Sequence, residues 1–82
     1  MKVRLEARVH GRVQGVFFRQ NTLARAGRLG LVGTVQNDPE GTVFVAAEGE
    51  RPAVERLLEW LSRGPERASV ERVDATWLEP VG

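Results

Sequence analysis

Hydrophobic and polar residues alternate at the start of the chain. In "KVRLEARVH", Val3, Leu5, Ala7 and Val9 point one way and Lys2, Arg4, Glu6, Arg8 and His10 the other, the period of two of a half-buried strand. The glycines of "GRVQG" are expected to end it. From about Phe18 to Leu29 the period lengthens, and Phe18, Thr22, Ala26 and Leu29 share one helical face with Leu23 beside them. Gly27 weakens that helix by ~1 kcal/mol relative to alanine, and Gly30 supplies a C-terminal stop. "LVGTVQN" reads as a second strand, "DPEG" as a turn shaped by Pro39 and Gly41, and "TVFVAAE" as a third strand returning as a hairpin. In "GERPAVERLLEWLSRG", Val54, Leu57, Leu58 and Leu61 form an i, i+3, i+4, i+7 stripe. Pro52 suits the first turn of this second helix, Glu59 and Arg63 are spaced for an i, i+4 pair, and Gly64–Pro65 stops it. "ASVERVDATWLE" is a fourth strand with Val73, Ala75 and Trp77 inward.

The order β-α-β-β-α-β, with charged residues on the second face of the strands, predicts an antiparallel sheet covered by two helices on one face only. This is an α+β fold of the ferredoxin-like, split β-α-β type. Phe17, Phe18, Trp60 and Trp77 are the aromatic candidates for its core. The chain has 82 residues, so a single domain spanning 1–82 is expected, burying roughly 60 to 65% of its unfolded surface. The fold hosts many activities, so the site has to decide the function.

Composition narrows the chemistry. There is no cysteine, which excludes disulfides, thiolate nucleophiles and CxxC metal sites together. The one histidine, His10, gives zinc too few ligands and reads as a strand-end residue on the solvent face. No metal and no cofactor is therefore expected. Absence of a ~18-residue apolar run or a charged-then-apolar leader argues against a membrane span or export, and the expected location is the cytoplasm. Net charge is +1, which does not suggest nucleic acid. Its distribution is uneven. Residues 1–41 carry seven cations and three acids, a net of +4, and residues 42–82 five and eight, a net of −3. The first half is the better host for an anion.

The segment "HGRVQGVFFRQN", residues 10–21, is where such an anion fits. A glycine-bracketed turn between a strand and a helix exposes backbone N–H groups beside the positive end of the helix dipole, the makings of an anion nest. Arg19, in the first helical turn, can add a bidentate fork for phosphate or carboxylate oxygens. The loop lacks the Lys–Ser/Thr ending of a Walker A motif, so nucleotide hydrolysis is not indicated. By spacing alone the loop also fits a plain glycine-rich connection.

"GRVQGVFFR" resembles the signature of the acylphosphatase family, Gly-x-Val-Gln-Gly-Val-x-Phe-Arg. A second block, "LGLVGTVQNDPEGTV", is similar to the family's Leu-Gly-Leu-x-Gly-aromatic-Val-x-Asn…Gly-x-Val, and "AEG" and "LLEWLSRGP" also fall in place. The resemblance implies a small, metal-independent hydrolase that splits carboxyl-phosphate anhydrides into a carboxylate and inorganic phosphate. It implies that Arg19 binds the phosphate and that Asn37 orients the attacking water. It further implies a cradle of backbone amides from Arg12, Val13, Gln14, Gly15, Val16 and Phe17. The partners would be a small-molecule acyl phosphate and phosphate or a similar anion as product or inhibitor, with no nucleic acid or membrane, and a monomer is the default. Such chemistry suits this composition. The substrate carries its own good leaving group, so positioning and charge stabilisation suffice and no covalent nucleophile is required.

Two positions depart from the pattern. Thr34 stands where the family has an aromatic residue, which predicts looser packing beside the active-site strand; losing a buried aromatic can cost ~3 kcal/mol. The chain also ends at "WLEPVG", without the family's short Phe-x-Val/Ile segment, which predicts an exposed sheet edge. Two other functions fit the scaffold: a non-catalytic anion-binding or regulatory domain, and an RNA-binding sheet. The latter lacks the aromatic strand motif and presents charged residues instead.

Overall fold

β1 (Lys2–Arg12) is the strand on which the rest is built. The structure, a computed structural model, describes residues 1–81; Gly82, the last residue of the expected domain, lies outside them. β1 pairs antiparallel with β3 (Val43–Glu50) on one side and with β4 (Ser69–Leu78) on the other, and β2 (Val32–Asn37) pairs antiparallel with β3. The strand order is β2-β3-β1-β4. With α1 (Phe18–Arg28) and α2 (Arg51–Leu61) between them, the elements follow the β-α-β-β-α-β order of the ferredoxin-like plan.

The alternation in β1 sets the faces. Val3, Leu5, Ala7 and Val9 are buried and lie opposite Gly49, Ala47, Val45 and Val43 of β3. Both helices pack on that side. Phe18 and Thr22 of α1 and Val54, Leu57, Trp60 and Leu61 of α2 are buried, and Phe18 meets Trp60 with ring centroids 5.5 Å apart. α1 ends as expected at Gly30, whose φ is +74°. The Leu31 amide reaches back to the Ala26 carbonyl at 2.9 Å, which satisfies a carbonyl that the helix end leaves open. The other face of the sheet carries ion pairs, Arg4 with Glu6 and Glu48, Arg8 with Asp38, and Arg72 with Asp74, and His10 Nε2 lies 2.9 Å from the same Asp74 carboxylate.

Several expectations need correction. β1 does not stop at the first glycine. A bulge between His10 and Gly11 shifts the register, and Gly11 and Arg12 still pair with Val70 and Ser69. Gly11 has φ +127° there, and a Cβ on it would lie 2.2 Å from the Ser69 carbonyl oxygen, so only glycine fits. Leu23 is 44% exposed, because the buried stripe of α1 is narrower than the period suggested. Phe17 is 65% exposed and is not core. Trp77 is only partly buried, with the Arg51 guanidinium 4.6 Å from its ring, and Ala75 is exposed, because β4 is an edge strand that the helices cover incompletely. Arg63 lies beyond the end of α2, and the i, i+4 ion pair of that helix is Arg51–Glu55 instead of Glu59–Arg63.

Candidate active site

The loop after β1 is pinned from below and open above. Val13 and Val16 are buried in the core, so the backbone between them is held against the protein. Gly15, between them, has φ +74° and nothing within 4 Å of where a Cβ would stand. The glycine therefore serves the backbone turn and leaves the space above it clear. Arg12, by contrast, is the last residue of β1 and is paired with Ser69.

The loop leads into a helix start that breaks several local rules. Phe17, at the N-cap of α1, sits in the left-handed region at φ 61°, ψ 23°, where a bulky residue is strained. No side chain caps the helix and its first turn has no acid. The first backbone N–H groups of any helix lack intrahelical acceptors, so those of α1 are left to whatever occupies the space in front of them. Arg19 places a positive charge in this first turn, against the preference set by the dipole. An anion in front of the loop would relieve both deficits.

Arg19 is held by its neck. Its Nε donates to the Val35 carbonyl of β2 at 3.1 Å, and among the described residues its two terminal nitrogens meet no protein partner. That bond leans the guanidinium against β2 two residues before Asn37. Asn37 lies across from Val43 in the ladder, on the helix side of the sheet, and its side-chain amide also has no protein partner among the described residues. Val13, Gln14, Gly15, Phe17, Phe18, Arg19, Gln20 and Asn37 line one cleft of about 180 Å³. No carboxylate is among them.

Of the residues expected from the sequence, the structure therefore brings Val13, Gln14, Gly15, Phe17, Arg19 and Asn37 to one cleft, while Arg12 and Val16 are outside its lining. Phe18 and Gln20 line it without having been singled out; their places directly on either side of Arg19 were the available signal. Gln14 has a structural role that the sequence did not disclose. Its Nε2 donates to the carbonyls of Asp38 at 2.8 Å and Thr42 at 2.9 Å, which ties the loop to the β2–β3 turn. Thr34 does not disturb the site: it is exposed, opposite Ala46, on the face of the sheet away from Arg19 and Asn37. The expected loss of packing beside the active-site strand therefore does not arise.

Size alone would misplace the site. One of several larger hollows, of about 330 Å³, lies between the helices and is lined by Arg25, Arg28, Arg56 and Trp60 among others. Arg25 and Arg28 occupy the last turn of α1, where cations offset the negative end of the dipole, and Arg25 stacks 5.0 Å from the Trp60 ring. That region has a structural account of its own, whereas the smaller cleft has none without a ligand.

A pinned glycine loop, an uncapped helix start and a tethered arginine give this α+β domain a cleft with the chemistry to receive an oxyanion. A model of the acylphosphatase family matches residues 5–82, and the chain belongs to that family. An acylphosphatase of Mycolicibacterium smegmatis is 53% identical over 79 residues, 96% of this chain and 81% of that one. Among solved structures, an acylphosphatase from Coxiella burnetii superposes with a TM-score of 0.90 at 38% identity, covering 98% of this chain and 86% of the other. The acylphosphatase from Bacillus subtilis gives 0.93 at 30% identity, covering 96% and 88%. The protein is thus an enzyme that hydrolyses acid anhydrides of phosphorus, with a small-molecule acyl phosphate as substrate. Among its described residues no helix is long and apolar enough to cross a membrane.

Proposed function

We propose that Arg19 and the backbone amides of Val13 to Phe17 hold the phosphoryl group, and that Asn37 directs a water molecule onto its phosphorus. The observation that carries this reading is the free end of the Arg19 guanidinium, tethered to Val35 beside Asn37 in a cleft without acids. Water attacks in line, the bond from phosphorus to the acyl oxygen breaks, and the carboxylate leaves. An amide side chain can accept a hydrogen bond from water and donate another, so Asn37 fixes its direction without acting as a base. A phosphoryl oxygen takes the water's proton, which yields inorganic phosphate. The helix dipole, the amides and Arg19 supply the positive field that offsets charge on the phosphoryl oxygens, so no metal is required.

On this reading the protein works as a monomeric, single domain over 1–82 in the cytoplasm, and phosphate, its product, competes with substrate. The test is hydrolysis of a synthetic aryl acyl phosphate, with EDTA present, by the wild type, Arg19→Ala and Asn37→Ala. Turnover that survives EDTA and drops by roughly 100-fold or more in each variant is expected. Full activity in either folded variant would remove that residue from the mechanism.

A further inference from the structure

Among the described residues nothing bonds the Asn37 side chain to aim it, so its direction depends on the backbone that follows. Asp38 comes next, and its side chain turns to the open face of the sheet. There Arg8 of β1 donates from Nε to Asp38 Oδ2 at 3.1 Å, and the guanidinium carbon lies 5.3 Å from the Phe44 ring centre, across from it in the ladder. The Thr42 hydroxyl donates to the same Asp38 oxygen at 3.0 Å. The Asp38 amide donates to the Thr42 carbonyl at 2.9 Å, and its own carbonyl receives the Gly41 amide and Gln14 Nε2. Although Arg8 is half exposed, the Asp38 side chain is only 10% exposed. Asp38 is therefore gripped from both faces: by Gln14 of the phosphate loop on one and by Arg8 on the other.

We infer that Arg8 is a positioning residue for catalysis, fixing the Asn37 amide from the opposite face of the sheet through Asp38. The inference rests on the proposed role of Asn37. Among the described residues the Arg8 side chain meets Asp38 and Phe44, on the face of the sheet away from Arg19, so its loss should disturb the aimed water more than the held phosphate. Misaiming a reacting group by a fraction of an ångström lowers turnover without abolishing binding.

The experiment measures kcat and KM for an aryl acyl phosphate in Arg8→Ala, Asp38→Asn and Arg8→Lys, and repeats Arg8→Ala in the Asn37→Ala background. Arg8→Ala and Asp38→Asn should each lower kcat by roughly fivefold to tenfold with KM changed less than about twofold, and Arg8→Lys should recover part of the loss. In the Asn37→Ala background, Arg8→Ala should change nothing further, because its effect passes through Asn37. An unchanged kcat in Arg8→Ala overturns the inference. So does an equal loss in the Asn37→Ala background, which would mark a general loosening of the fold. If Asn37→Ala itself keeps wild-type activity, the proposed role of Asn37 fails and this inference fails with it. If Asn37→Ala collapses while Arg8→Ala does not, only the inference falls.

Discussion

The two helices lie side by side on the sheet and obey local rules very differently. α2 enters through Pro52 in its first turn, carries the Arg51–Glu55 pair, and buries Val54, Leu57, Trp60 and Leu61 in one stripe. Like α1 it has no side-chain cap and no acid in its first turn, but its N-cap, Glu50, is ordinary extended backbone and its first-turn cation, Arg51, is paired with Glu55. α1 starts instead at a phenylalanine strained into the left-handed region, and its first-turn cation, Arg19, pairs with no acid among the described residues. A helix built only for stability would relieve the one and pair the other. The difference teaches where the molecule accepts strain, and that place coincides with the cleft of Arg19 and Asn37.

The comparison can be broken most directly at Arg19. Arg19→Ala removes an unfavourable charge from the start of α1, so the melting temperature should hold or rise slightly while turnover falls roughly 100-fold or more. A melt that drops with the activity would show that the arginine holds the fold. The mirror experiment is Leu57→Ala in α2, a fully buried side chain. It should cost about 3 kcal/mol of stability in a denaturant titration and leave the turnover of folded protein unchanged. Phe17→Gly comes next. Relieving the left-handed backbone costs little packing, because the ring is largely exposed, and should raise stability by up to about 1 kcal/mol without raising turnover. A less stable variant would mean the ring contributes more than its exposure suggests.

Acid should give the smallest and broadest effect. Burial pushes the Asp38 carboxyl up, but the bonds from Thr42 and Arg8 outweigh it, and the group is held below its ordinary value. The N-terminal ammonium lowers Glu50, at the entry to α2, and Arg72 with His10 lowers Asp74. Each folded carboxyl thus titrates below its unfolded counterpart, so in that window the unfolded chain binds more protons. The stabilisation is complete above the ordinary carboxylate range near pH 4 and is lost as pH falls through the lower folded values. Melting temperatures should be level from about pH 7 to 5 and decline below about 4, less steeply at high salt for the exposed pairs. A flat profile down to pH 2.5 would show that these pairs add nothing.

What could be read from the sequence was whatever depends on period and on turn chemistry. The alternation in β1, the stripe in α2, the stop at Gly30 and the Asp38–Gly41 turn all stand in the structure. Period could not show that Phe17 leaves the helical face by taking a left-handed conformation, since an apolar residue beside Phe18 looks like core in either state. Nor could it weigh coverage: Ala75 and Trp77 point to the core side, yet β4 lies at the edge of the sheet. Arg19 and Asn37, which the structure brings to one cleft, stood out only through the family signature. The grip on Asp38 was not, because Arg8, Gln14 and Thr42 come from three segments and meet only through the β1–β3 register.

That register has a consequence for how the enzyme is made. Every group assigned to the chemistry lies between Arg12 and Asn37, so all of it has been polymerised before half the chain is made. β1, which sends the phosphate loop out from its end, acquires its second neighbour only when residues 69–78 arrive. Contacts so distant along the chain close slowly. The reactive part of the molecule is thus translated early and locked late, and a nascent chain stalled before β4 holds the groups of a phosphatase without the sheet that aims them.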